Sequence, residues 1–341
     1  MELIEELKQL CSLDGGSGCE NAVREYITSR LDEMKIEYRI DALGNVIGKK
    51  SGKTTDYSIL ITAHMDEISL IITSVSDDGT LCFATVGGIA PEAIAGKKVR
   101  LGEIYGVVGM RSVHNMTEDE KAAPPKLDDM YIDIGAADAD EARSIVKCGS
   151  YAYFVSDFIR FGNDKLLSKA LDDRIGCAVL LGLLSEQSEI GFDFAFTVQE
   201  EVGARGARTA AFSVAPDYAV VLEATTAADI PSVSGEKRVC ELGKGAAVAF
   251  MDNATVYDKW LYNLAYAVSA EHSIPCQTKS MVAGGNDSGS IHVTGKGVKC
   301  IAVSAPCRYI HSPSCVAAES DIFAVKDLTR GIVSALVNKS I

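Results

Sequence analysis

Four apolar runs of β type constrain the fold most: residues 57–62, 192–198, 218–222 and 298–304. Helix-patterned stretches lie between them, and each run leads into a loop carrying a carboxylate or an imidazole. That alternation specifies an α/β fold. In an open α/β sheet, ligands bind beyond the carboxyl ends of the strands. The residues following these runs are therefore where chemistry is expected: His64 and Asp66, Glu200 and Glu201, Glu223, and His311.

At 341 residues the chain exceeds one compact core, so two domains, or one domain with an insertion, are expected. The texture changes between residues 68 and 162, where short β-type runs alternate with Gly, Pro and charged clusters and only 141–147 is helix-patterned. This segment reads as a small β-rich module inserted into a larger domain made of residues 1–67 and 163–341. His114 lies within it and reads as structural or interfacial. Residues 14–18 (Asp-Gly-Gly-Ser-Gly) break two helical stretches and read as a plain connection, because the Lys-Ser/Thr of a phosphate loop is missing.

Composition excludes several classes. No stretch approaches the about 18 apolar residues of a membrane span, and the acidic start Met1-Glu2-Leu3-Ile4-Glu5-Glu6 is unlike a signal peptide. A net charge of −14 argues against nucleic-acid and anionic-membrane partners. The ten cysteines include no Cys-x-x-Cys pair, which fits reduced thiols in a cytoplasmic protein rather than a zinc ribbon.

The candidate chemistry rests on two of the five histidines and a set of carboxylates at loop positions. Asp66 lies two residues after His64, on the same side of an extended chain, where a carboxylate can orient a metal-bound imidazole. Asp172 starts an apolar helix and reads either as its N-cap or as a carboxylate bridging two cations. Two imidazoles and three carboxylates suffice for two zinc-like ions if one carboxylate is shared. One glutamate of the Glu200-Glu201 pair is then left over, and a free glutamate beside such a centre is a general base.

Four stretches, Ala63-His64-Met65-Asp66-Glu67-Ile68, Ala170-Leu171-Asp172-Asp173-Arg174, Gln199-Glu200-Glu201-Val202-Gly203 and Arg308-Tyr309-Ile310-His311-Ser312, resemble the signatures of one family. It is the co-catalytic di-metal aminopeptidases, which include glutamyl aminopeptidase, deblocking aminopeptidase and the tetrahedral (TET) peptidases, some labelled endoglucanases. The resemblance extends from Gly16-Ser17-Gly18 through Gly44-Asn45-Val46 and Gly87-Gly88-Ile89 to the terminal helix. It implies a three-layer α/β/α phosphorylase/hydrolase-like exopeptidase domain with an inserted PDZ-like barrel that mediates dimer contacts and assembly into a dodecamer. It further implies that Asp172 bridges two divalent ions (zinc or cobalt, with manganese as an alternative). His64 and Glu223 complete one shell, Glu201 and His311 the other, Glu200 is the base, and Asp66 orients His64. Two positions depart from the family's pattern: Glu223 stands where Asp is frequent, and Ser69 where Gly is common.

The implied reaction is hydrolysis of the N-terminal bond of short peptides by a metal-activated water, with Glu200 shuttling the proton. A glycosidase needs two carboxyls about 5–9 Å apart across a sugar, which adjacent Glu200 and Glu201 do not obviously provide. A decayed scaffold would lack at least one ligand, yet every position is filled. The runner-up is a related di-metal deacylase or carboxypeptidase, in which Arg308 would hold a substrate carboxylate. No Gly-x-Ser-x-Gly elbow supports a serine nucleophile.

Overall fold

The computed structural model describes residues 1–53 and 55–338. Ahead of the inserted module come β1 (Tyr38–Ile40), β2 (Val46–Lys50) and β3 (Ile59–His64). The module contributes β4 (Ser69–Val75), β5 (Leu81–Val86), β6 (Lys98–Leu101), β7 (Ile104–Met110), β8 (Met130–Asp133) and β9 (Tyr151–Phe154). Then follow β10 (Ile159–Phe161), β11 (Lys165–Ser168), β12 (Phe192–Thr197), β13 (Tyr218–Thr226), β14 (Ala246–Val248), β15 (Cys276–Thr278), β16 (Lys299–Arg308) and β17 (Cys315–Ala318).

Among the described residues, eleven strands build one mixed sheet in the order β1-β2-β12-β3-β13-β16-β17-β11-β10, with β14 and β15 attached through β16. Its centre, β12-β3-β13-β16, is parallel. Both faces are covered, and the alternation of side chains shows how. Phe194, Phe196, Ile61, Val220 and Ile301 face one core, with the helices Leu171–Ser185 and Glu319–Asn338. Leu60, Ala195, Ala219, Val221 and Ala302 face the other, with the helix Arg205–Val214. Large residues meet the deeper layer, whereas small ones let Ala207, Ala210 and Ala211 of the Arg205–Val214 helix come close. Helices thus pack on both faces of the sheet.

Strands β4 to β9 close into a six-stranded barrel around Leu70, Ile72, Leu81, Val99, Val108, Ile132 and Phe154. Besides the Ala139–Ile145 helix, the barrel segment holds the short helices Pro91–Ile94 and Glu118–Ala122, which the sequence reading did not expect. One turn is too short to show helical periodicity. Strand β10, inside the 68–162 segment, pairs with β11 of the main sheet, so the chain leaves the barrel before residue 162. Among the described residues, no helix is long and apolar enough to cross a membrane.

Candidate active site

Parallel register sets the site's height. Thr197, at the end of β12, stands level with His64, at the end of β3. Strand β13 pairs Val221 with Thr62, so Glu223 also comes level with His64. Glu223 is therefore a mid-strand residue, because β13 runs on to Thr226 rather than stopping at 222. The β16 pairing, which continues to Thr226 opposite Cys307, explains the longer strand.

Two triads of ligand-type atoms meet at Asp172. His64, Asp172 and Glu223 form one, and Asp172, Glu201 and His311 the other. His64 Nε2 lies 3.4 Å from Asp172 Oδ1 and 3.6 Å from Glu223 Oε2. His311 Nε2 lies 3.3 Å from Asp172 Oδ2 and 3.5 Å from Glu201 Oε2. Asp172 thus offers one oxygen to each histidine.

Asp172 does not cap its helix. Asp173 does, accepting from the Gly176 N–H at 2.8 Å and from the His64 N–H at 3.3 Å. The N-cap reading of Asp172 is corrected here: backbone torsions of −88° and 111° take Asp172 out of the helix and free its carboxylate.

Asp66 does more than orient His64. The His64 Nδ1 faces the Asp66 carbonyl at 3.2 Å and its carboxylate at 3.4 Å, so that nitrogen carries a proton and Nε2 points at the triad. The same carboxylate accepts from the N–H groups of Glu200 and Glu201 at 3.0 and 3.1 Å and from the Ser17 hydroxyl at 2.5 Å. It anchors the loop that carries both glutamates.

The electrostatics describe a site short of positive charge. Burial pushes the carboxyls of Glu200 and Glu223 well above the ordinary range, and neighbouring carboxylates add to the effect. Burial likewise pushes Glu201 up to about 7, against the opposing charge of His311. Burial disfavours charge on Asp172 too, but the two histidines outweigh it and hold its carboxyl low. Burial lowers His311, yet Asp172 and Glu201 push it up to about 10; His64 is raised in the same sense, by Glu223, Asp172 and Asp66.

The residues fit divalent ions. Two ligands on a tetrahedral ion with bonds of about 2.1 Å lie about 3.4 Å apart, as the 3.3–3.6 Å separations do. Asp172 Oδ1 and Glu223 Oε1 are buried without a hydrogen-bond partner, a costly state unless a cation takes them up.

Two further groups, Asp287 and Glu67, were not singled out in the sequence. Asp287 is fully buried and accepts from the Thr197 hydroxyl at 2.6 Å, while its charge raises Glu200. It immediately precedes the short helix Ser288–Ile291. Glu67 forms a buried cluster with Lys169 (2.7 Å), Arg174 (3.3 Å) and the Gly15 N–H (3.1 Å) beside the histidine strand. These partners lie 52, 102 and 107 positions away in sequence, so no local signal exists. Arg308, offered as a carboxylate anchor, is already gripped by Asp229 through two contacts of 2.6 Å. His114 lies exposed on a turn of the barrel segment and outside both triads.

Comparisons with known proteins identify the family. Residues 44–328 match the family described as M42 glutamyl aminopeptidase. A lysyl aminopeptidase from Pyrococcus furiosus is 30% identical, over 97% of each chain. The solved TET aminopeptidase of a marine sediment thaumarchaeon superposes with a TM-score of 0.94 at 31% identity, covering 98% of this chain and 96% of that one. The Pyrococcus horikoshii TET1 peptidase, which assembles into a tetrahedron or a large octahedral shell, gives 0.86 at 30% identity, covering 97% and 99%. With the family matched over residues 44–328 and relatives at 30% identity along nearly the whole chain, the chain belongs to the M42 glutamyl aminopeptidase family.

Proposed function

We propose that the protein is a metal-dependent aminopeptidase that removes N-terminal residues from short peptides. The pair of histidine–carboxylate triads sharing Asp172 carries this reading. His64, Asp172 and Glu223 would hold one divalent ion, and Asp172, Glu201 and His311 a second, with zinc or cobalt favoured over manganese by the mixed nitrogen and oxygen ligands. When bound, such ions polarise a scissile carbonyl and lower the pKa of water.

The chain's own residues do the rest. Glu200, raised by burial among carboxylates, takes the proton of the attacking water and hands it to the leaving amine. Asp66 holds the His64 ring and, through two N–H groups, the loop that aims Glu200. The excess of carboxylates attracts the free α-ammonium of a peptide. Arg308 is engaged by Asp229, which weighs against the carboxypeptidase alternative.

Assembly of dimers into a dodecamer is part of the same reading. Tyr105 and Val107 point outward from the same face of β7 and are 62% and 44% exposed, an apolar surface suited to a second barrel. Ten cysteines without a disulfide fit the reducing cytoplasm.

The test uses chelator-stripped protein, restored with zinc, cobalt or manganese, on aminoacyl-p-nitroanilides, N-acetylated peptides, C-terminally blocked peptides and a soluble cellulose, with Glu200→Gln alongside. Metal-restored cleavage of free N-termini alone, lost in Glu200→Gln while metal uptake persists, is the expected result. Cleavage that needs an acyl cap or a free C-terminus would overturn it. Light scattering at a dimer's mass would remove the dodecamer.

A further inference from the structure

The inserted barrel reaches the surroundings of the triads at two points that its expected dimerisation role does not require. The first runs through the Asp14–Gly18 loop, which the sequence offers as a bare connection. Tyr151 of β9 donates to the Ser17 carbonyl at 2.7 Å, and Ser17 donates its hydroxyl to Asp66. The loop is pinned further by Arg100 of β6, which pairs with Asp14 at 2.6 Å. A side chain at Gly16 would collide with Ser69 of β4 and the Tyr151 ring, so loop and barrel are in close contact. Ser17 is 5% exposed, and its partner Asp66 also holds the Glu200 and Glu201 N–H groups and faces His64.

The second point is the Gly87-Gly88 turn that leaves β5. A Cβ on Gly87 would lie 3.1 Å from Glu201 Oε2, and one on Gly88 would lie 3.6 Å from His311 Nδ1. Both contacted residues belong to the same triad. Gly87 carries a φ of +94°, a conformation that favours glycine.

We propose that the barrel is a working part of the hydrolytic centre, with Ser17 and the Gly87-Gly88 turn as positioning residues. Ser17 fixes Asp66 and through it the Glu200-Glu201 loop, while the turn backs Glu201 and His311 and so sets the grip of that triad alone. The inference rests on the metallopeptidase reading above. It predicts an asymmetry: disturbing the turn weakens one ion site and spares the other.

The experiment titrates Co²⁺ into chelator-stripped full-length protein, followed by visible absorption, for wild type, Ser17→Ala, Tyr151→Phe, Gly88→Val and the control Arg143→Ala on the barrel's outer surface. Steady-state kinetics on an aminoacyl-p-nitroanilide run in parallel. Groups that orient metal ligands from behind contribute about 10–100-fold. Gly88→Val is therefore expected to weaken one of two Co²⁺ sites at least about tenfold and leave the other within about twofold. Ser17→Ala is expected to lower kcat about tenfold with KM within about twofold, and Tyr151→Phe to act in the same direction. Wild-type titrations and wild-type kcat in all three variants would overturn the proposal and leave the peptidase reading intact. A wild type that takes up no Co²⁺ would overturn both.

Discussion

Asp172→Asn is the most informative single substitution, because one side chain serves both triads. Its Oδ1 faces His64 at 3.4 Å and its Oδ2 faces His311 at 3.3 Å. Asparagine keeps the shape but offers one acceptor oxygen, and its NH₂ only donates. At least one triad loses its shared ligand, and both lose its charge. A charged contact of this kind is worth about 1.5–3 kcal/mol. Two such losses amount to about 3–6 kcal/mol, or about 10²–10⁴-fold in affinity or rate. Glu223→Gln and Glu201→Gln each touch one triad, so each should cost about the square root of that factor and lose one ion preferentially. Metal titration by calorimetry, paired with kcat/KM on an aminoacyl-p-nitroanilide, reads both effects. An Asp172→Asn protein that binds two ions with wild-type affinity, or keeps more than about a tenth of wild-type kcat/KM, would refute the shared-ligand reasoning.

Chelated protein should lose stability as pH rises. Glu201 has a folded pKa near 7 against an ordinary 4.5, so folding favours its protonated form and stability falls between those values, by at most about 3 kcal/mol. His311, held up to about 10 against an ordinary 6.5, stabilises below 6.5 and loses that contribution as pH approaches 10. Denaturant midpoints of the chelated form should therefore drop from pH 5 to pH 9 far more than those of the metal-restored form, and equal drops would contradict the assignment. Asp173→Ala removes the acceptor for Gly176 and His64 and should cost about 1–3 kcal/mol in urea unfolding; a loss below about 0.5 kcal/mol would return the capping role to Asp172. Because Asp229 occupies Arg308, amidating a peptide's C-terminus should change kcat/KM less than about twofold, whereas a tenfold loss would restore the carboxypeptidase alternative.

How much of this was legible depends on the range of the interactions involved. The strand runs at 57–62 and 192–198 announced themselves by local pattern, and the position of His64 and Glu200 just beyond them followed. The length of β13 was not legible, since its last residues are strand only because Cys307 and its neighbours pair with them. The capping role passed from Asp172 to Asp173 through backbone torsions that adjacent identical residues cannot signal. Ala170, Gln199 and His311 adopt left-handed φ values of 54°, 56° and 57°. Such conformations cost about 1–3 kcal/mol in non-glycine residues, and only surrounding packing sustains them.

The sequence by itself determined the α/β class, the strand ends where chemistry collects, and the residue types able to hold divalent ions. Those features arise from side-chain periodicity and from the chemistry of individual groups, both carried by short stretches of chain. Tertiary structure alone decided that Asp172 gives one oxygen to each histidine and that Asp66 also holds the Glu200-Glu201 loop. It alone decided that Arg308 is spent on Asp229 and that the barrel's Tyr151 and Gly87-Gly88 lie beside the Asp14–Gly18 loop, Glu201 and His311. Each of these joins residues dozens to more than a hundred positions apart, whose meeting depends on sheet register and packing rather than on any local preference.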